Sequence, residues 1–415
     1  MNRTIAPKTV DLHLEIQLPA SKSISNRALI LNALSDNPHE IINLSDSDDT
    51  RLLQQALDSN DTHFDIGASG TAMRFLTAFL SKTFGEWTIT GSERMNRRPI
   101  KILVDALNTL GAKITYLRED GFPPLRIFGS ALTGGELRLD GSVSSQYISA
   151  LMLIAPYMRH GLQIRLEGAD IVSRPYIEMT AAMMRRFGVT PSFEEDIIHI
   201  PAQAYRPVPF TVESDWSAAS YWYEILSIIG KGSIFFRGLT TDSIQGDSET
   251  ARLFENFGIK TVGRKEGVFI TAGCKTVTFF EYNFIAQPDL AQTFAVTCCA
   301  KAIPFRFTGL HNLRIKETDR IEALTTELRK LGYLLTQENS DSLIWTGAKT
   351  EPERNSRIET YNDHRMAMAF APMSLLQTIE ISHSEVVSKS YPHFWDDFDK
   401  INQSMSSSFR KEKEN

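Results

Sequence analysis

The chain has little cysteine. Cys274, Cys298 and Cys299 are the whole complement of 415 residues, and two of them are neighbours. Thiols so placed build neither a disulfide framework nor a zinc site, and the adjacent pair sits in an apolar stretch that reads as core. No cluster of His, Cys and carboxylate has metal-ligand spacing, so no metal is expected. Also missing are the phosphate loop G-x-x-x-x-G-K-[ST], the dinucleotide fingerprint G-x-G-x-x-G, the elbow G-x-S-x-G and the zinc helix H-E-x-x-H. Gly230-Lys231-Gly232 is a lone fragment that reads as a turn. Long apolar runs are absent: the longest, near residues 148–158, contains Pro156 and is too short to span a bilayer. The opening MNRTIAPKTV has no apolar signal core. A cytoplasmic protein without a membrane partner is therefore expected. Excess positive charge is absent as well. Fifty acidic against 44 basic side chains give a net charge of -6, which argues against nucleic acid as a partner.

What is there is ordinary globular composition, 42% apolar and 23% charged. The length suits two or three domains. The segment 404–415, SMSSSFRKEKEN, is polar and charged and is expected to be a flexible tail.

Four segments share one pattern: RRPIKILVDALNTLGAKI, SRPYIEMTAAMMRRFGVT, GDSETARLFENFGIKT and KETDRIEALTTELRKLGYLL. Each predicts about three amphipathic helical turns closed by a glycine, at Gly111, Gly188, Gly258 and Gly332. The intervals are 77, 70 and 74 residues. Each glycine suits a left-handed position just past a helix end, and Pro99 and Pro175 suit first-turn sites. SDDTRLLQQAL and the stretch after Lys389 are weaker members. Between them lie helices that begin small or polar and then turn broadly apolar: SKSISNRALILNAL, SGTAMRFLTAFL, SSQYISALMLIAP, SDWSAASYWYEILSIIG, PDLAQTFAVTCCA and NDHRMAMAFAPMSLL. Apolar on most faces, they should be buried. Residues 11–18 alternate as a strand, with Leu12, Leu14, Ile16 and Leu18 on one face. Residues 137–139, 164–166, 198–200 and 305–307 are shorter strand candidates. The whole is an α/β (α+β) pattern of about six units of roughly 70 residues, each pairing a buried with an outer helix.

Reactive side chains gather at the starts of the buried helices: Lys22 and Ser23, Gly70, Ser144 to Gln146, Asp289, and His364 with Arg365. Helix N-termini favour anions. Ser21-Lys22-Ser23 with Asn26-Arg27 reads either as an anion cradle or as a helix cap with exposed basic residues. Gly141 to Gln146 reads as a cap or as a similar cradle. In Asn312 to Arg320 the i, i+4 spacing puts Lys316 and Arg320 on one helix face with Glu317 a step round, or else makes a solvated charged face. Tyr361-Asn362-Asp363-His364-Arg365 runs straight into an apolar helix. Charge at the mouth of a buried element needs a partner, for which a bound anion is suited.

Together these stretches resemble the EPSP synthases, the enolpyruvyl-transfer family of the shikimate pathway. SKSISNRAL, SDSDDTR, GTAMR, RRPI, GAKITYL, FPPLRI, DGSVSSQ, SRPYI, QGD, KETDRI, TELRKLG, YNDHRMAM and Lys389 occur in family order over almost the whole chain. The resemblance implies a two-domain inside-out α/β barrel of six βαβαββ repeats, three per domain, closing around substrate. One domain would hold 1–20 and 214–415, and the other 21–213. It implies transfer of the enolpyruvyl group of phosphoenolpyruvate to the 5-hydroxyl of shikimate 3-phosphate, without metal or organic cofactor, in a chain expected to be monomeric. Catalysis would fall to Asp289, Glu317 and Lys22. Shikimate 3-phosphate would meet Lys22, Ser23, Arg27, Ser144, Ser145, Gln146, Ser173, Tyr176, Asp289, Asn312 and Lys316. Phosphoenolpyruvate would meet Lys22, Gly70, Arg98, Gln146, Arg320, Arg365 and Lys389. Two phosphates at about -1.5 to -2 each and two carboxylates total about -5 to -6. Against them stand seven cations less the two carboxylates of Asp289 and Glu317.

Two departures stand out. Where the family usually reads NAGTAMR, this chain has Ala68 in place of Asn. The stretch 51–67 is also short by roughly a strand pair, which leaves one repeat trimmed. Both motivate an expectation of weaker phosphoenolpyruvate binding or an altered response to glyphosate, the family's inhibitor. They also motivate the rival reading of a non-catalytic ligand binder, against which the retained acid/base pair weighs. The sister transferase acting on UDP-N-acetylglucosamine carries a Cys in the loop before its second-unit Arg. Here that loop, GSERMNRRPI, has none.

Overall fold

The structure, a computed structural model, describes residues 1–5, 12–168, 171–354 and 356–401. The proposed tail 404–415 lies outside them. The chain divides into two compact units, Met1–Pro19 with Glu213–Asn415, and Ala20–Val212. These boundaries sit one residue before the expected ones.

The first unit carries three sheets among the described residues. Leu12–Gln17 pairs in parallel with Gly232–Arg237, which continues antiparallel to Gly267–Ala272 and Ile259–Arg264. Phe280–Asn283 runs parallel to Phe305–Thr308, which meets Leu343–Trp345 antiparallel. Arg357–Ile358 runs parallel to Ile379–Ile381, which meets Arg3–Ile5 antiparallel. The alternation of Leu12, Leu14, Ile16 and Leu18 appears as expected: Leu12, Ile16 and Leu18 are buried, Leu14 is half-buried, and His13, Glu15 and Gln17 are exposed.

The second unit repeats the theme. His63–Asp65 runs parallel to Glu86–Thr90, followed antiparallel by Leu125–Phe128 and Lys113–Tyr116. Gly135–Asp140 runs parallel to Leu162–Glu167, followed by Ile197–Ile200 and Ser192–Glu194. Ile41–Ile42 and Phe210–Thr211 form a sheet of two strands only. Between helix Asp48–Asp58 and helix Gly70–Lys82, the one strand is the three-residue His63–Asp65.

Parallel strands need a crossover, and buried helices supply it. Helices Gly70–Lys82, Ser145–Ile154, Ala291–Ala300 and His364–Phe370 each connect the two parallel strands of one sheet. Lys22–Leu34 and Trp216–Ile229 are the other two of this kind. Their apolar sides leave no face for water. In Trp216–Ile229 every residue from Ala218 to Ser227 is buried. An aromatic core of Tyr223, Phe254, Phe257, Phe280 and Phe294 packs beside it, with ring centroids as close as 4.6 Å for Phe254 and Phe294. Cys298 and Cys299 are buried, as their apolar setting predicts.

The outer helices show where pattern reading slips. Gly111, Gly188, Gly258 and Gly332 all have positive φ, as a left-handed helix stop requires. Pro175 stands in the first turn of helix Arg174–Arg186. Pro99 does not: helix Lys101–Thr109 starts two residues later, capped at Ile100. The third outer segment is no continuous helix but Gly246–Glu249, Thr250–Leu253 and Phe254–Phe257, two short 3-10 turns around one α turn. The shared face for Lys316 and Arg320 is also corrected. Asp319 accepts bonds from the N–H groups of Ile321 and Glu322, both 3.1 Å, so the helix begins at Arg320. Lys316 precedes it in an irregular turn.

Candidate active site

In the first unit, side chains from four segments converge. The turn Pro288–Leu290 carries Asp289, residues 312–320 carry Asn312, Lys316, Glu317 and Arg320, helix His364–Phe370 carries Arg365 in its first turn, and Ser384–Lys389 ends in Lys389. Arg320 is 2% exposed. Its Nη1 donates to Asp289 Oδ1 at 2.9 Å, its Nη2 to Glu317 Oε2 at 3.0 Å and its Nε to Asp363 Oδ2 at 2.7 Å. Arg365 donates through Nη2 to Asp289 Oδ2 at 2.9 Å. Lys316 Nζ stands 4.0 Å from Asp289 Oδ1, and Lys389 Nζ donates to Glu317 Oε1 at 2.9 Å. Asn312 is buried beside them in sequence. A solvated charged face is thereby excluded for Arg320.

Burial alone would push the Asp289 carboxyl up, but Arg365, Lys316 and Arg320 outweigh it and hold it well below the usual carboxylate range. The Arg320 guanidinium is stabilised above its ordinary value, since Asp363, Glu317 and Asp289 overcome the penalty of burial. Asp363 Oδ1 also caps its helix by accepting from the Arg365 N–H at 2.9 Å. Asp247, from the QGD stretch, is buried and accepts from Ser217 Oγ. Burial pushes its carboxyl up to about 7 against the pull of Arg365, while Asp289 and Asp215 add to the rise.

In the second unit the helix starts bring another set forward. Lys22 opens helix Lys22–Leu34 and its Nζ lies 3.1 Å from Asp49 Oδ2. Ser21 makes no side-chain cap, and Arg27 is 2% exposed, so the reading of a simple cap with exposed basic residues fails. Arg27 donates to Thr180 Oγ1 at 2.7 Å, Ser149 Oγ at 3.0 Å, and the carbonyls of Ser23 at 2.9 Å and Tyr176 at 3.4 Å. All four acceptors are neutral. Burial accordingly lowers the guanidinium to about 10. The Tyr176 ring centroid is 5.9 Å from it.

Ser144 caps helix Ser145–Ile154 by accepting from the Gln146 N–H at 3.4 Å, and Gln146 Nε2 reaches Thr71 Oγ1 at 3.3 Å. Ser173 stands at the N-cap position of helix Arg174–Arg186 with φ 56 and no side-chain cap bond, and it is 2% exposed. Gly70 opens helix Gly70–Lys82 under two guanidiniums. A Cβ there would lie 2.7 Å from Arg98 Nη1 and 3.1 Å from Arg74 Nη1, so only glycine lets both approach. Arg74, Asp49 and Asp247 stand in this chemistry without having been singled out one by one in the sequence, whereas Asp363 stands out there only as part of the charged stretch before the last buried helix. Their signal was an ionisable residue in or beside a segment otherwise reading as buried. Among the described residues no group of His, Cys, Asp and Glu gathers to hold a metal ion.

Comparison with known proteins settles the kinship. The family model for EPSP synthase (3-phosphoshikimate 1-carboxyvinyltransferase) matches residues 7–59 and 52–398. The chain belongs to the EPSP synthase family. A 3-phosphoshikimate 1-carboxyvinyltransferase of Bacteroides fragilis is 54% identical over 387 residues, covering 93% of this chain and 94% of that protein. One from Photobacterium profundum is 37% identical, over 94% and 96%. The solved EPSP synthase of Acinetobacter baumannii superposes with a TM-score of 0.77 at 20% identity, over 96% of this chain and 98% of that one, which shows a shared fold. The EPSP synthase relationship makes the mixed two-domain α/β architecture a family property.

Proposed function

We propose that this chain transfers the enolpyruvyl group of phosphoenolpyruvate to the 5-hydroxyl of shikimate 3-phosphate. The observation that carries the reading is the Asp289 carboxylate held between Arg320 and Arg365, with Glu317 bonded to Arg320 and Lys389. It occurs in a chain 54% identical to a 3-phosphoshikimate 1-carboxyvinyltransferase. A pure binder of anions has no use for two carboxylates that compete for its cations.

In this reading the 5-hydroxyl oxygen bonds to the central enol carbon, the methylene carbon takes a proton, and the tetrahedral adduct then loses phosphate and a methyl proton. Asp289 serves the hydroxyl, with Asn312 and Lys316 beside it, and Glu317 serves the methylene carbon. Arg320 and Arg365 accept the enolpyruvate carboxylate. That anion would dilute their hold on Asp289 and raise its basicity when a base is wanted. Lys22, Arg98, Gln146, Lys389 and the backbone at Gly70 meet the departing phosphate. Ser23 and Arg27 hold the shikimate carboxylate, Ser144, Ser145 and Ser173 its phosphate, and Tyr176 its ring. Arg27, buried among neutral acceptors, is the cation best prepared for a substrate anion.

Three sheets in each unit, with one buried helix to a sheet, support the inside-out barrel of six repeats. The two-stranded Ile41–Ile42 sheet supports a trimmed repeat. Among the described residues no helix is long and apolar enough to cross a membrane. The test is phosphate release. Phosphoenolpyruvate with shikimate 3-phosphate should release it, and phosphoenolpyruvate with UDP-N-acetylglucosamine should not. Binding of both substrates without release would establish a binder instead.

A further inference from the structure

Arg365 follows a turn that its own residues do not favour. Tyr361 has φ 52 and Asn362 φ 56, and the Asp363 N–H donates to the Thr360 carbonyl at 2.8 Å. Two successive left-handed residues closed by this bond make a type I′ turn, which suits Gly, Asn and Asp. Asn362 conforms, whereas a tyrosine at the first position is held there against its preference. Asp363, which binds Arg320, follows at once, and Arg365, which binds Asp289, stands two residues beyond it.

The restraint comes from Glu327, on the helix Arg320–Lys330 that begins with the other guanidinium. Glu327 is fully buried. Its Oε1 accepts from Tyr361 OH at 2.6 Å and Lys330 Nζ at 2.9 Å, and its Oε2 from Lys330 Nζ at 2.7 Å and the Glu359 N–H at 3.1 Å. One helix therefore grips the 359–363 segment twice. Arg320 holds Asp363 at its start, and Glu327 holds Glu359 and Tyr361 two turns on. We infer that Glu327, acting through Tyr361, is a positioning residue that fixes Arg365 in register with Arg320 and Asp289.

The inference rests on the functional reading above, in which Arg365 meets the phosphoenolpyruvate carboxylate. Tyr361→Phe removes one hydroxyl from a half-exposed ring and should leave the fold intact. It should raise the Michaelis constant for phosphoenolpyruvate about five- to tenfold, with kcat within about threefold and that for shikimate 3-phosphate unchanged. Glu327→Gln keeps acceptors for both N–H and O–H donors and should show a smaller shift in the same constant, whereas Glu327→Ala should exceed Tyr361→Phe. Arg365→Lys supplies the benchmark. If Arg365→Lys moves the phosphoenolpyruvate constant and Tyr361→Phe and Glu327→Gln move nothing, the positioning role is overturned and the substrate assignment stands. If Arg365→Lys moves only the shikimate 3-phosphate constant, the substrate assignment falls. The positioning role then holds when Tyr361→Phe moves that same constant and fails when it does not.

Discussion

Two buried guanidiniums in this chain are treated in opposite ways. Arg320 is surrounded by Asp289, Glu317 and Asp363, and its charge is stabilised. Arg27 is equally buried, but the acceptors that bond it are hydroxyls and carbonyls, and its charge is penalised. An arginine with its own carboxylates contributes to the fold and must share its partners with any substrate. An arginine among neutral acceptors destabilises the empty protein and repays that only when an anion arrives. The first arrangement couples binding to the basicity of a carboxylate; the second supplies affinity.

The strongest way to break the comparison is Asp289→Asn. It removes the group that couples Arg320, Arg365 and Lys316 to proton transfer, and kcat should fall by about 10²–10⁴-fold while both substrates still bind. Steady-state phosphate release and equilibrium binding measure the two halves of that statement. Full activity in Asp289→Asn would mean that the ion-paired cluster is structural only.

A paired stability experiment comes next. Asp363→Asn takes a carboxylate from the most crowded side of Arg320 and should cost about 3 kcal/mol. Arg27→Met removes an uncompensated charge and should leave ligand-free stability within about 1 kcal/mol of the parent or above it. The same variant should abolish the rise in melting temperature that shikimate 3-phosphate gives the parent protein. Equal destabilisation by both changes would erase the distinction.

Acidity sharpens the contrast further. Asp289 is held below its unfolded value, so its stabilising contribution is full above about pH 4 and is lost as pH falls. Asp247 is raised to about 7 by burial, so its contribution is full at acid pH and is lost as pH climbs from about 4 through 7. Asp247→Asn should thus be near neutral at about pH 4, where the carboxyl is still protonated in the folded state and about half so in the unfolded. It should gain stability over the parent by pH 8, at most about 4 kcal/mol for a rise of about three units. Parallel denaturation curves at the two pH values decide the matter, and an unchanged difference would place Asp247 in contact with solvent or a cation.

Much of the fold is legible because it is local. A small or polar start followed by apolar residues on every face marks the six buried helices, and the period of two in Leu12, Leu14, Ile16 and Leu18 marks a strand. The helix stops at Gly111, Gly188, Gly258 and Gly332 are equally local, because only their positive φ is being read. What escapes is decided by groups far apart in sequence. Nothing near Arg320 announces that Asp363, 43 residues on, will take its Nε. The cap at Asp319 moves a helix start past Lys316, which a charge spacing of four conceals. The loss of regular helix between Gly246 and Phe257 likewise has no local signature. Cations at helix starts are readable from the chain, but which carboxylates already hold them is not.

The smallest expected effect concerns Ala68, in the turn before the Gly70 helix. The turn is well made without it: Asp65 Oδ1 accepts from the Gly67 N–H at 2.9 Å, the Ser69 N–H donates to the Ile66 carbonyl at 3.0 Å, and Ser69 caps the helix. Ala68 itself is exposed, next to the helix start that Arg98 and Arg74 overhang. A carboxamide at this place would cost the fold almost nothing and would offer an anion one further N–H donor. A hydrogen bond to a charged group, partly screened by water, is worth about 1 kcal/mol. Ala68→Asn should therefore lower the phosphoenolpyruvate Michaelis constant about fivefold, leave that for shikimate 3-phosphate alone and change inhibition by glyphosate. Were the phosphoenolpyruvate constant and glyphosate inhibition both unmoved, the amide would have no part in binding here, and recognition at this helix start would rest on Gly70, Arg98 and the free backbone N–H groups.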